Sequence, residues 1–430
     1  YLSWVYEFGN LKINNTNLIN SLKIRSDFSY WWMTLISEKC NWEKSPKIYD
    51  AIRMIALNDW LINNDISSVD LVSSSKKLSK SIQTLGIEIS NETQLPLPPL
   101  NTTSLIKRAY ENMPLIFQGI IWYLKHIFER WTLRGVGLSE WKLTDGRTVF
   151  FSHLRNGPTN DDDHSQDQFW GPLIPLLRKE KRITNWCYLF SKSDQLPDSK
   201  TAANTLNISN KKGQLLNAHA SLDTFINFKL IIKTFADWIS LIFLAKTVKR
   251  NISFVRPIDL SIWLLLENDW NESMYGSVGI QNVLYLNLIE SALSLAPKQD
   301  FGLYLKENQC WEYALIYAWQ SSNHGKLIGV NHSTIRYWDL RFFFDPRTFN
   351  ADALSKFPVP SITACNGPVM LENLINSGHP KNQLCKAEPL RFFDSQHTVQ
   401  LNDKLDKASR LIVIGDYAPT VMFNQMNLLA

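Results

Sequence analysis

Absences bound this chain before any motif does. No P-loop, Gly-x-Ser-x-Gly, His-Glu-x-x-His or Gly-x-Gly-x-x-Gly pattern occurs, which removes several common nucleotidase, hydrolase, peptidase and dinucleotide-enzyme classes. Cysteine is scarce. Cys40, Cys187, Cys310, Cys365 and Cys385 form no Cys-x-x-Cys pair and have no histidine at zinc spacing, so reduced thiols of a cytoplasmic protein are expected and no metal site among them. A net charge of +5 with Lys and Arg scattered among acids gives no basic stripe for nucleic acid. It allows a weak attraction to anionic phosphates or a membrane surface. No uncharged run of spanning length exists either. Met113 to Trp131 is interrupted by Lys125, His126, Glu129 and Arg130, and Phe228 to Ala245 by Lys229, Lys233 and Asp237; both read as amphipathic or buried helices. Peripheral contact with an inner membrane stays open, because a helix edged by Trp and Lys can lie in the interface.

What is present suits a folded globular protein. At 430 residues, 45% hydrophobic and 20% charged, the chain can bury sizeable cores and predicts two or three domains. It carries 16 Trp, 22 Phe and 14 Tyr, rings that fill cores and also stack on sugar faces or bases. Seven Asn-x-Ser/Thr sequons, Asn101, Asn207 and Asn251 among them, follow from an asparagine-rich composition.

Residues 1–95 read as a helical N-terminal region. Tyr30 to Ile36 opens it, and Ser45-Pro46 starts a helix that repeats Ile48, Ile52, Ile55, Ala56 and Trp60 at spacings of three and four. The proline-rich run from Leu95 to Thr103 is the candidate linker, after which Leu105 to Trp131 reads as helix. A Rossmann-like domain is then expected over 103–400. Thr148 to His153 and Asn185 to Phe190 predict strands around an acidic loop, Asn156 to Gln168, and a helix from Phe169 to Lys181. Ser191 to Asn217 reads as a polar loop and Ala218 to Val248 as one long helical stretch. Strands follow at Asp300 to Leu305, Gly325 to Asn331 and Pro360 to Asn366, with helices at Asn308 to Ser321 and after Gly367-Pro368. Strand, helix, strand alternation favours a parallel sheet. Arg410 to Asp416 reads as one more apolar strand, so 405–430 is expected to begin a second, incomplete Rossmann-like unit, its C-terminal remainder truncated.

In an open parallel sheet, ligands sit beyond the carboxyl ends of the strands. That rule selects Glu307 and Gln309 past the first of these three strands, His332 and Ser333 past the second, and Asn366 and Gly367 past the third. Glu307 can be a general base, a nucleophile, or simply a cap on the following helix. Glu312, five residues on, reads as an exposed or salt-bridged helix residue. His332 can move protons or hold a phosphate, or serve structurally. Arg336, with Tyr337, Trp338 and Asp339, can line an acceptor sugar, Arg336 matching a carboxylate or phosphate. His324 reads as part of a helix stop beside Gly325. His379, in Gly378-His379-Pro380, is a donor-phosphate contact or a helix stop. Gly415, Asp416 and Tyr417 follow the last strand, where backbone amides can approach a phosphate or ribose. Asp161, Asp162, Asp163 and His164 can hold a cation, or form a solvated loop.

Several segments together resemble a family. Tyr30-Trp-Trp-Met-Thr-Leu-Ile-Ser-Glu-Lys-Cys, Lys44-Ser-Pro-Lys-Ile-Tyr-Asp-Ala-Ile-Arg, Glu307-Asn-Gln-Cys-Trp-Glu, His324-Gly-Lys-Leu-Ile-Gly-Val-Asn-His-Ser-Thr and Ala387-Glu-Pro-Leu-Arg-Phe-Phe are similar to the bacterial surface carbohydrate, or O-antigen, biosynthesis proteins. Gly-Val-Asn-His-Ser also resembles the Gln-His-Gly element of capsule transferases that use CMP-activated Kdo-like sugars, with Asn331 and Ser333 where Gln and Gly would stand. The resemblance implies a GT-B α/β fold, two Rossmann-like domains across a cleft. It implies a glycosyltransferase that moves a sugar from a nucleotide donor to a glycan or lipid-linked glycan acceptor in the cytoplasm, without metal or cofactor, the nucleotide sugar entering as substrate. Glu307 and His332 would then be catalytic, Gln309, Ser333, Arg336, Asn366 and Gly367 substrate-binding, and His379, Gly415, Asp416 and Tyr417 donor-binding. A non-catalytic carbohydrate-binding or assembly protein on a degenerate transferase fold is the alternative, and a sugar epimerase a third.

Overall fold

Strands form where the chain runs through apolar and β-branched residues between turn signals. In the computed structural model the strands of the main sheet are β1 (Thr148–Leu154), β2 (Thr184–Phe190), β3 (His219–Ser221), β4 (Phe301–Leu305), β5 (Lys326–Val330), β6 (Ile362–Asn366) and β7 (Leu384–Ala387). The structure describes residues 1–13, 15–42, 44–95, 105–154, 169–212, 217–252, 260–333, 335–350, 356–388, 390, 422 and 425–427. All seven strands join one sheet in the order β7-β6-β5-β4-β1-β2-β3, and every pairing is parallel. Read outward from β1 this is 3-2-1-4-5-6-7, the doubly wound Rossmann-like arrangement, whose strand order reverses between β1 and β4. Leu303 in β4 pairs with Phe150 on one side and Ile328 on the other, which fixes the register at that reversal.

Alternate side chains face opposite layers, as strand geometry requires. Val149, Phe151, Cys187, Leu189, Tyr304 and Leu327 enter one core. Phe150, Trp186, Tyr188, Phe190, Leu303 and Leu305 enter the other. The helices that matter here are α1 (Leu115–Arg130), α2 (Leu173–Lys179), α3 (Ser199–Lys212), α4 (Phe228–Ile252), α5 (Leu260–Tyr275), α6 (Ser277–Leu295), α7 (Cys310–Ser321) and α8 (Pro368–Asn376). Ile174 of α2 and Ala202, Ala203 and Leu206 of α3 cover the second face. The first face packs against α7 and α6, and α6 is apolar nearly all round because α1, α4, α5 and α7 surround it.

Residues 1–95 share that first core. Trp4, Phe8, Trp31, Ile48 and Met54 belong to the same cluster as α6 and the sheet. Tyr30 donates to the Ser273 carbonyl at 2.8 Å, and Asn282 donates to that of Met33 at 2.7 Å. The region is not helical throughout, since Ser68–Ser73 and Glu88–Gln94 pair as a parallel two-stranded sheet. The chain divides into a compact unit over Tyr1–Phe393 and a second over Asp394–Ala430. Of the second unit only Met422 and Gln425 to Asn427 are described, so the Arg410 to Asp416 strand and Gly415, Asp416 and Tyr417 lie outside the described residues. The Leu95 to Thr103 linker, beyond Leu95 itself, and the Asp161 to His164 cluster lie outside them too.

Three local expectations change. Pro114 divides the stretch read as a single helix into Leu105–Glu111 and α1, because proline cannot supply the interior N–H. The loop read over Ser191 to Asn217 contains α3, started by Asp198, whose carboxylate accepts from the Thr201 N–H at 2.7 Å. Its few apolar positions left no periodic signal. Ala218 to Val248 is not one helix: β3 and a Ser221-capped 3-10 turn, Leu222–Phe225, precede α4.

Candidate functional site

The segment from Lys306 to Gln309 joins β4 to α7 at the reversal of strand order, and a buried carboxylate shapes it. Glu312, in the first turn of α7, accepts the backbone N–H groups of Glu307 at 3.0 Å, Asn308 at 3.0 Å and Gln309 at 3.0 Å. It is 1% exposed, which corrects the expectation of an exposed helix residue. The reach-back to Gln309 is the acidic limb of a capping box. Burial pushes the Glu312 carboxyl up, and burial pulls the Lys306 ammonium down. Asn308 takes the left-handed conformation at φ 57°, which asparagine tolerates. Its side chain accepts from Lys306 Nζ and donates to the Arg341 carbonyl at 2.9 Å.

Because Glu312 holds the helix N-terminus, Glu307 is not its cap. The Glu307 carboxylate turns instead toward the end of β5. Its Oε1 lies 3.3 Å from His332 Nε2, its Oε2 lies 3.7 Å from Arg341 Nη1, and Gln309 Nε2 donates to Oε2. Side-chain exposure separates the roles: 30% for Glu307, 7% for His332 and 10% for Arg341. Glu307 is the member that solvent or a substrate can reach. His332 stands edge-on to Phe169, ring centroids 5.1 Å apart, and Arg341 is held by both Asp339 oxygens at 2.9 and 2.7 Å. Those bonds and the charge of Asp339 keep the Arg341 guanidinium protonated against its burial.

Aromatic surface adjoins this cluster. The Arg341 guanidinium lies 5.4 Å from the Trp42 ring. Asn41 ties the two loops together, donating to the Trp338 carbonyl at 2.9 Å and accepting the Leu340 N–H at 3.4 Å. Trp42, Tyr337 and Trp338 are all exposed. Behind Asn41, Glu38 is fully buried, accepting from Lys44 Nζ and from the Cys310 thiol at 3.0 Å, so the 38–42 segment is anchored to the start of α7.

The structure thus brings Glu307, Gln309 and His332 together, with Ser333 following His332. Asn366 and Gly367 stand at the end of β6, one strand beyond β5, where Gly367 has φ +89° and opens α8. Arg336 is exposed between Ile335 and Tyr337. His379 is not in the cluster; it follows the far end of α8, buried against Phe349 and Phe344. His324 accepts the Gln299 N–H at 3.2 Å through Nδ1, within the turn before β5. Sequence reasoning missed Arg341, whose partner Glu307 is far away in the chain, and Trp42. It also missed the role of Glu312, although Gln309-x-x-Glu312 has capping-box spacing. Among the described residues, no group of three or more His, Cys, Asp or Glu side chains could hold a metal ion. No family model, no curated protein and no solved structure matches the chain.

Proposed function

We propose that the chain is a glycosyltransferase that joins a sugar from a nucleotide donor to a glycan or lipid-linked glycan acceptor, with the described sheet as the acceptor-side half of a GT-B pair. The observation that carries this reading is Glu307. It is a reachable carboxylate at the reversal of strand order, fixed by His332, Arg341 and Gln309, and its partner Arg341 lies 5.4 Å from the exposed Trp42 ring. As base, Glu307 takes the proton of an acceptor hydroxyl while that oxygen bonds the anomeric carbon. The nucleotide leaves with the electrons of the broken sugar–phosphate bond. His332 and Arg341 position Glu307, the Arg341 guanidinium balances its charge, and the indole faces support the acceptor ring by stacking. The resemblance of Gly329 to Ser333 to capsule transferases favours a CMP-activated donor and a cytoplasmic setting.

The test is Glu307→Gln in the full chain, following transfer from CMP- and UDP-sugars. Loss of the base should lower kcat by about 10²- to 10⁴-fold, with thermal stability kept; unchanged turnover removes Glu307 from the mechanism. The exposed aromatics also suit a non-catalytic carbohydrate-binding protein. That reading predicts glycan binding with no affinity for either nucleotide sugar, which calorimetric titration resolves.

A further inference from the structure

Helices α1 and α4 pack side by side and antiparallel. Gly119 lies directly under the Trp238 indole, Tyr123 donates to the Ile231 carbonyl at 2.9 Å, and the Trp131 and Phe228 rings stand 5.6 Å apart. Their inner faces meet α6. Their outer faces carry stripes of the same spacing. On α1, Phe117, Ile121, Leu124 and Phe128 recur at intervals of four, three and four. On α4, Phe228, Ile232, Phe235 and, after half-buried Ile239, Phe243 continue the same intervals. All eight side chains are exposed, from 40% at Phe235 to 84% at Phe128. At roughly 200 Å² per large side chain they leave on the order of 900 Å² of apolar surface in water, above the largest patch of a typical monomer.

Basic residues border this surface. Lys125, Lys229 and Lys246 are exposed, and Arg134 stacks over Trp131 where the stripes meet. The acids nearby are occupied. Glu129 pairs with Lys192 at 3.3 Å, and Asp237 with Arg25 at 2.9 Å and Lys233 at 2.8 Å. Along its length α4 carries five basic residues and one acid.

We propose that the α1–α4 face docks on an anionic phospholipid surface, its aromatic and aliphatic stripes entering the headgroup boundary while the bordering lysines meet lipid phosphates. The basic border favours lipid over a second copy of the chain. A two-fold contact through this face would set its lysines against those of the partner, like charge on like. No helix among the described residues is long and apolar enough to cross a membrane, so this attachment is peripheral. It stands independently of the chemistry at Glu307.

The experiment uses the full chain with vesicles of phosphatidylglycerol and phosphatidylethanolamine, against vesicles of phosphatidylcholine alone, read by co-sedimentation. The protein should pellet with the anionic vesicles, less so as salt rises. Phe128→Asp with Ile232→Asp should weaken binding by at least about tenfold, and Lys125→Glu with Lys229→Glu by a smaller factor, whereas Leu176→Asp on α2 should leave it unchanged. Circular dichroism checks the fold of each variant, and the lysine pair keeps the test valid if the aspartates disturb folding. Three outcomes overturn the proposal: protein left in the supernatant with anionic vesicles, patch variants that bind like Leu176→Asp, or a solution dimer that the patch substitutions dissociate.

Discussion

His379 offers a sharp test of how the interior beside the sheet treats charge. It is 8% exposed, with its ring centroid 4.1 Å from that of Phe349 and 6.0 Å from that of Phe344. Burial first, then the charges of Lys306 and Lys39, pull its pKa down to about 3. An unfolded histidine titrates near 6.5. As the pH falls through that value, the unfolded chain binds a proton that the folded chain refuses. Because the folded pKa is the depressed one, stability is fully present above about pH 6.5 and declines with falling pH toward 3, by about 1.4 kcal/mol per unit. Between pH 7 and pH 5 this group alone should cost about 2 kcal/mol. The perturbation is His379→Phe, which suits the aromatic surroundings and removes the titration. Urea unfolding at both pH values should show the native chain losing about 2 kcal/mol more than the variant, since every other group titrates in both. Parallel losses would refute the reasoning. The result bears on the donor-phosphate role read from the sequence, because a histidine neutral to about pH 3 has no positive charge to offer a phosphate.

Two further substitutions test the candidate site. Glu312→Ala strips the acceptor from the N–H groups of Glu307, Asn308 and Gln309 and leaves Lys306 without its buried counter-charge; urea unfolding should show a loss on the order of 3 kcal/mol, and a loss below about 0.5 kcal/mol would mean that the carboxylate does not organise the loop. Trp42→Ala with Trp338→Ala, both at exposed positions, should leave the melting temperature within a few degrees while raising the acceptor KM by about tenfold, as loss of stacking of 0.5–1.5 kcal/mol per ring implies; an unchanged KM removes the rings from the acceptor site.

Much of the sheet was legible because it is buried on both faces. β1 and β2 are buried almost without interruption, around the apolar runs Val149 to Phe151 and Trp186 to Phe190, as expected for strands covered by helices on either side. β3 spans three residues, His219–Ser221, too short for any period to register, and the apolar run of α4 behind it drew the boundary of a helix across it. α3 was hidden for the opposite reason: its buried residues are Ser199, Ala202, Ala203, Thr205, Leu206 and Asn210, small or polar but for one leucine, so burial leaves little hydrophobic contrast. At the site, strand-end placement picked out Glu307 and His332, which depends only on local grammar. Arg341 depends on a loop returning from beyond β5, and Trp42 on a segment brought in from the N-terminal region; neither proximity has a sequence period.

The spacing of Glu307 and Glu312 is the step from fold to chemistry. A single carboxylate after β4 would have two competing uses, capping α7 or facing the cleft, and the dipole at a helix N-terminus favours the first by about 0.3–1 kcal/mol. The chain resolves the competition by supplying two. Glu312 sits three residues after the N-cap position Gln309, where its side chain can turn back and collect N–H groups from three successive residues. One of those is the N–H of Glu307 itself, so the cap directs the backbone of the very residue it releases. With its own N–H bound inward, Glu307 has its carboxylate toward His332 and Arg341, two groups from later parts of the chain that arrive only when β5 and the loop after it are in place. A reachable carboxylate is therefore held by its neighbours rather than by its helix, and a proton-accepting role requires that freedom.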